Sequence, residues 1–413
     1  MLLEFSCSNH KSIRKEILFS AMAGTDDAHD DKTIRFGNYR ILRSGLIYGP
    51  NGSGKSNLID AILFVKRLVV ESVGYPLGHG IRQITHKLEP ADSESSYAMQ
   101  FVANGIRYMY GFTLKNLLVA DEYLYYVPNG RQIRIFERSG ADFAAGSRFG
   151  GKLSACRNVV NSNRLLLSCA ANYSKVAEII AAYKFFLRDL QVYSHLNQNR
   201  WTQYSLYRIG SNSEIRRAVI GFLRDLGTGI RDIEVKIDRK KLEMADLPDF
   251  FGEFPNMLLQ KDVDAISARV VYDQFSTDLM REESDGIRKL MALIYPLTDL
   301  SSGSKALICD ELEASLHESV LHNLVKFVMN LPEGNTSQLF FTTHDTTLLN
   351  SDIFRRDQIW FTEMTNDRST DLYSLAELKD VRKNENFARC YMLGKYGAVP
   401  MQDPDFAKYS SFL

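Results

Sequence analysis

The stretch Gly49-Pro50-Asn51-Gly52-Ser53-Gly54-Lys55-Ser56 has the residue types that hold a polyphosphate. Its glycines let backbone N–H groups curl around phosphate oxygens, and a helix N-terminus behind them adds partial positive charge. Lys55 would reach the β- and γ-phosphates of a nucleotide, and the Ser56 hydroxyl would ligate Mg²⁺. Asn57 follows directly and belongs to the same loop-to-helix step. A second set of reactive types lies far downstream. Asp310 and Glu311 end an apolar run, Lys305-Ala306-Leu307-Ile308-Cys309. Asp310 would hold Mg²⁺, directly or through water, and Glu311 would polarise an attacking water. Ser337-Gln338-Leu339-Phe340-Phe341 runs into Thr342-Thr343-His344-Asp345, where His344 could hydrogen-bond a γ-phosphate. The chemistry these types could perform is the binding of ATP with Mg²⁺ and the attack of water on its terminal phosphate.

Such residues need elements to hold them. Ser44-Gly45-Leu46-Ile47-Tyr48 predicts a buried strand, and Asn57 to Val65 carries apolar residues at helical spacing. Strand, glycine loop and helix form the context that a P-loop requires. Both downstream acids and His344 likewise follow short apolar runs of strand length. Ser284-Asp285-Gly286 stands at the start of a helical stretch, with Ser284 placed to cap it. Ala314-Ser315-Leu316-His317 can form a D-loop.

Around these lie other elements. Leu2 to Phe5 and Glu16 to Ser20 predict strands. Asn104-Gly105 and Pro128-Asn129-Gly130 separate alternating runs, the pattern of an antiparallel sheet with its aromatics in the core. From 160 to 228 the pattern is helical. One helix is expected after a Ser174 cap, and another spans Ser213 to Leu226, with Arg216, Arg217 and Arg224 on a solvated basic face. The acidic run Asp26-Asp27-Ala28-His29-Asp30-Asp31 reads as a solvated loop, not a metal site.

Composition narrows the class. The chain has 413 residues, 45% of them hydrophobic and 24% charged, which fits a globular protein of two or three lobes. Net charge is +0, so global charge gives nucleic-acid binding no support, although a local basic face remains open. No apolar run reaches membrane-span length, and Met1 to Phe5 has no basic leader pattern. Five scattered cysteines, with no CxxC pair, suit reduced thiols. A cytoplasmic location without membrane attachment is expected.

The order P-loop, Ser284-x-Gly286, Asp310-Glu311, D-loop and His344 resembles the ABC-type ATPase heads, over about residues 1–138 and 265–375. Phe5-Ser6-Cys7-Ser8-Asn9-His10-Lys11-Ser12-Ile13 looks like the opening of the RecF/SMC/OLD branch. Glu311 to His317, Thr342 to Asp345 and Leu393 to Pro400 resemble the stand-alone OLD-like "AAA family" ATPases of bacteria. The resemblance implies an α/β head: a mainly parallel P-loop sheet, an antiparallel β-lobe and an inserted helical segment. It divides the chain into 1–138 and 264–413, the two halves of the head, and 139–263, the insertion. It implies a homodimer or higher even oligomer, in which each ATP lies between one protomer's P-loop and the other's Ser284 and Gly286. It implies a separate effector, of nuclease or toprim type, in antiphage defence. A DNA-binding repair or chromosome-handling ATPase is the alternative. A transporter subunit is disfavoured by the signature Glu283-Ser284-Asp285-Gly286, which lacks the second glycine and the glutamine. A small-molecule kinase would need neither signature nor His344. No acidic toprim constellation follows residue 375, and Gln83 is the candidate for the Q-loop glutamine.

Overall fold

The P-loop strand is the middle of a sheet. In the computed structural model the described residues are 1–241, 262–313, 316–382 and 385–399. Ser44–Tyr48 is buried along its whole length, as a strand covered on both faces must be. Gln338–Thr342 and Ile359–Met364 flank it, both parallel to it. Ala306–Cys309 and then Leu190–Tyr193 extend the sheet in parallel on the first side. Thr370–Ser374 closes the other edge, antiparallel to Ile359–Met364. Parallel neighbours put their carboxyl ends on one edge, and there the P-loop, Asp310 and His344 all emerge. Open α/β sheets bind ligands along that edge.

The helix Lys55–Glu71 buries Leu58, Ile62, Val65 and Val69, a single face at helical spacing. A second, seven-stranded antiparallel sheet supplies the lobe, and Leu2–Ser8 lies inside it between Ser95–Ala103 and Ile17–Ser20. Ala103 pairs with Ile106 across Asn104 and Gly105, whose φ values are 49° and 73°, the geometry of a tight two-residue hairpin. The lobe's aromatics are core, as expected: Phe101 stacks on Phe185 at 4.2 Å and meets Phe186 edge-on at 5.2 Å. The buried Gln338 amide ties the two sheets. It accepts Leu2 N–H at 2.7 Å and donates to the carbonyls of Leu2 and Leu42 at 3.0 Å.

Two compact units emerge, and they divide the chain elsewhere than the boundaries drawn from sequence. The first comprises 1–194, 302–313 and 321–413, and the second 195–301 and 314–320. Residues 139–194 therefore belong with the first unit, because Leu190–Tyr193 is the edge strand of its parallel sheet. The segment 264–301, with Ser284, belongs with the second unit. That unit holds the helices Gln198–Ser211, Ser213–Asp225 and Asp285–Asp299 and a small antiparallel sheet of Asp232–Lys241, Asp262–Val271 and Ser276–Asp278. Leu206, Val219, Leu223, Val270, Leu290 and Ile294 contribute to its core. It is thus mixed rather than largely helical.

Three local expectations change. Ser174 does not open a helix; it ends Leu166–Tyr173, and the next helix, Ala177–Lys184, follows Val176. Arg216 is not free on a basic face, since both arms of its guanidinium bond the Asp232 carboxylate, at 2.9 and 2.5 Å. The acidic run is not wholly solvated: Asp26 is buried and pairs with Arg356 at 3.0 Å, while Asp30 takes Arg35 and Arg40 at 2.6 Å each. Among the described residues no helix is long and apolar enough to cross a membrane.

Candidate functional site

The loop after Ser44–Tyr48 is shaped by glycines with little room for anything else. Gly54 precedes the helix at φ 104°, and a Cβ there would meet Thr370 Oγ1 at 1.9 Å. A Cβ at Gly49 would meet the Thr362 carbonyl at 2.4 Å. The loop is tied down through hydroxyls. Ser53 Oγ lies 2.6 Å from Thr362 Oγ1, and Thr370 Oγ1 donates to the Ser53 carbonyl at 3.0 Å. Asn57 Nδ2 donates to Ser12 Oγ at 2.6 Å, and Ser12 Oγ meets Thr370 Oγ1 at 2.7 Å. Pro50, Asn51 and Gly52 form the outer turn, with Gly52 at φ 78°. Lys55 is buried, and its ammonium donates to the carbonyls of Gly49 at 2.6 Å and Pro50 at 3.1 Å. Burial lowers the Lys55 pKa, and the carboxylates of Asp310, Glu311 and Glu313 oppose that shift.

Asp310 follows the strand Ala306–Cys309 and is buried. Its Oδ1 accepts from Ser56 Oγ at 3.2 Å and from Thr342 Oγ1 at 2.7 Å. The P-loop helix, the acidic turn and the strand before His344 thus meet at one oxygen. Glu311 is exposed, and its N–H donates to Thr342 Oγ1 at 2.6 Å. The His344 N–H donates to Glu313 Oε1 at 2.6 Å. Partial burial, and then the Lys55 cation, lower the His344 pKa; Glu313, Glu311 and Asp310 act against them. Lys55, Ser56, Asp310, Glu311 and His344 therefore share one electrostatic neighbourhood. Ser56 and Asp310 offer a hydroxyl and a carboxylate, the hard oxygen donors that suit Mg²⁺.

Ser284 and Gly286 lie in the second unit. Ser284 caps Asp285–Asp299, its Oγ accepting from Ile287 N–H at 3.4 Å. Before it, Glu283 accepts from Tyr272 Oη at 2.8 Å and also from Thr277 Oγ1. Gln83 is half-buried, with Oε1 lacking a hydrogen-bond partner among the described residues. Of the D-loop, Ala314 and Ser315 lie outside the described residues. The sequence reading passed over Ser12, Thr342, Thr362, Thr370 and Glu313. Each is an ordinary residue type whose partner is remote in the chain, so no spacing marks it.

A lysine and a hydroxyl at the start of a helix, with a buried carboxylate beside them on the carboxyl edge of a parallel sheet, fit the phosphates of a nucleotide and a hard cation. The family model that matches is described as "AAA domain, putative AbiEii toxin, Type IV TA system", and the match covers residues 46–149 and 250–350. That interrupted match embraces both the P-loop and the Asp310 to His344 region. No curated protein matches the chain. Similar solved structures include the SMC head domain from Thermotoga maritima, at 16% identity and TM-score 0.41, covering 90% of this chain and 98% of that one. An SmcHead bound to the C-winged helix domain of ScpA is similar at 14% identity and TM-score 0.41, covering 90% and 97%. An Smc head domain with an extended coiled coil, bound to the C-terminal domain of ScpA from Pyrococcus furiosus, is similar at 11% identity and TM-score 0.39, covering 91% and 97%.

Proposed function

We propose that this chain binds and hydrolyses ATP as a dimeric switch that controls a separate effector protein in antiphage defence. The observation that carries the catalytic part is the meeting of Ser56 and Asp310 at 3.2 Å, beside Lys55 and one residue before Glu311. The backbone N–H groups from Gly49 to Ser56 cradle the phosphates, and Lys55 neutralises the β- and γ-phosphate oxygens. Ser56 and Asp310 hold Mg²⁺, which when bound neutralises charge on the phosphate oxygens. Glu311 polarises the attacking water, and an imidazole N–H of His344 donates a hydrogen bond to the γ-phosphate. Ser284 and Gly286 of a second protomer close the site, with a helix N-terminus turned to the phosphate.

The defence role has separate support. The matching family model's description speaks of a toxin and a toxin–antitoxin system. Glu311 to His317 and Thr342 to Asp345 resemble OLD-like ATPases that act beside separate effectors. Lys55→Ala tests the shared foundation. It removes the principal cation facing the phosphates, and ATP affinity measured by calorimetric titration should fall below detection. The thermal melt should remain cooperative. Wild-type affinity in this variant would mean that the nucleotide binds elsewhere.

A further inference from the structure

Glu313 is a carboxylate to which the motif reading gave no task. Beyond Asp310 the chain turns sharply, with Glu311 at φ 47°, in the left-handed region that side chains rarely adopt. Thr342 braces that turn: its Oγ1 accepts Glu311 N–H at 2.6 Å, and its carbonyl accepts Leu312 N–H at 3.2 Å. The turn brings Glu313 back to the end of the neighbouring strand, where Oε1 accepts His344 N–H at 2.6 Å. The residues on either side of His344 are pinned as well. Thr343 N–H donates to the Ile47 carbonyl at 3.1 Å, and Tyr48 Oη donates to the Asp345 carbonyl at 2.7 Å. The second Glu313 oxygen, Oε2, is buried without a hydrogen-bond partner among the described residues. Hiding a carboxylate oxygen in this way is costly. The side chain nevertheless stays beside Lys55 and His344, and its charge acts on both.

We infer that Glu313 is a positioning residue: its carboxylate fixes the backbone of His344 and thereby the reach of the imidazole toward the phosphate-binding loop. Asp310 and Glu311 act on metal and water, whereas Glu313 acts through His344. The hold needs an acceptor oxygen rather than a negative charge, so glutamine should replace glutamate and alanine should not. The kinetic arm of the test rests on the ATP-hydrolysing reading; the exchange arm does not.

The experiment compares wild type, Glu313→Gln and Glu313→Ala in the full chain, by thermal melting, ATP titration, steady-state hydrolysis and hydrogen exchange over residues 342–348. Glu313→Ala should exchange the His344 amide on the order of 10-fold faster or more, because its acceptor is gone. It should lower kcat on the order of 10-fold or more, with KM and ATP affinity within about 2-fold of wild type. Glu313→Gln should restore both the slow exchange and most of kcat. Wild-type exchange in Glu313→Ala would overturn the positioning role. So would a glutamine variant as slow as alanine, which would assign the work to the charge. Parallel loss of ATP affinity and kcat in Glu313→Ala would overturn it too, by pointing to the loop as a whole. If wild type turned over no ATP, the hydrolysis reading would fall, while the exchange comparison would still decide the Glu313 contact.

Discussion

His344 is placed where its protonation state matters. Partial burial disfavours a cationic imidazole, and beside the Lys55 ammonium it would also bring like charges together. Both effects lower its pKa from the ordinary imidazole value near 6.5. The sign follows. The group is neutral at pH 7, its contribution to stability is present above the unfolded value, and that contribution is lost as pH falls through the folded one. Applied to turnover, the pH profile of kcat/KM should stay level from about pH 8 to about pH 6.5 and bend only below that. An acid limb centred above about 6.5 would show that His344 is not the group titrating, or that it is not held beside Lys55. At this scale spacing alone singled out Lys55, Ser56, Asp310 and Glu311, and the fold brings them together, with Ser56 Oγ 3.2 Å from Asp310 Oδ1. Spacing was silent on Thr342, whose one hydroxyl serves both Asp310 and Glu311 N–H, because a threonine at the end of a strand is ordinary until its partners are seen.

Glu122 shows the same limit for whole elements. The helix Leu166–Tyr173 begins without a local capping side chain. Its first amides, Leu166 N–H and Leu167 N–H, donate instead to the Glu122 carboxylate at 2.6 and 2.9 Å. Glu122 sits in the strand Leu118–Val127, fully buried, with Arg138 at 3.5 Å and Tyr110 Oη donating to it at 3.0 Å. A cap delivered from a distant strand leaves no mark in the sequence beside the helix it serves. The strand Leu190–Tyr193 was missed for a related reason: its place in the parallel sheet depends on Ala306–Cys309, far along the chain. The hairpin at Asn104-Gly105 was legible because its cause is entirely local. Glu122→Ala should therefore cost about 3–5 kcal/mol, since it strands the buried Arg138 charge and two helix amides. Urea unfolding measures this directly. Glu122→Gln, which keeps acceptor and shape, should lose less. A midpoint unchanged in the alanine variant would mean that neither the cap nor the pair stabilises the fold.

The whole molecule carries one P-loop and one Ser284-x-Gly286 step, and the two lie in different compact units. In the dimeric reading each ATP takes its P-loop from one protomer and its signature helix from the other. Two variants should then fail in opposite ways. Glu311→Gln keeps Asp310 and Ser56 but is a poor partner for the attacking water, and losing a positioned base costs on the order of 10² to 10⁴ in rate. It should accumulate as a dimer with ATP bound. Ser284→Arg places a bulky cation before the Asp285–Asp299 helix and should block closure while the P-loop still binds ATP. Light scattering after size exclusion, with and without ATP, separates the two. Sizing alone would be confused by a constitutive dimer held through another surface, so complementation is the stronger measurement. Ser284→Arg and Lys55→Ala should each be inactive alone. Mixed one to one under conditions where subunits exchange, they form some dimers in which one site has an intact P-loop facing an intact signature. Those sites should hydrolyse ATP, so activity should reappear on mixing and vanish when exchange is prevented. If no activity returns while mass measurements show that mixed dimers have formed, the two halves do not act across protomers, and each chain must complete its own site.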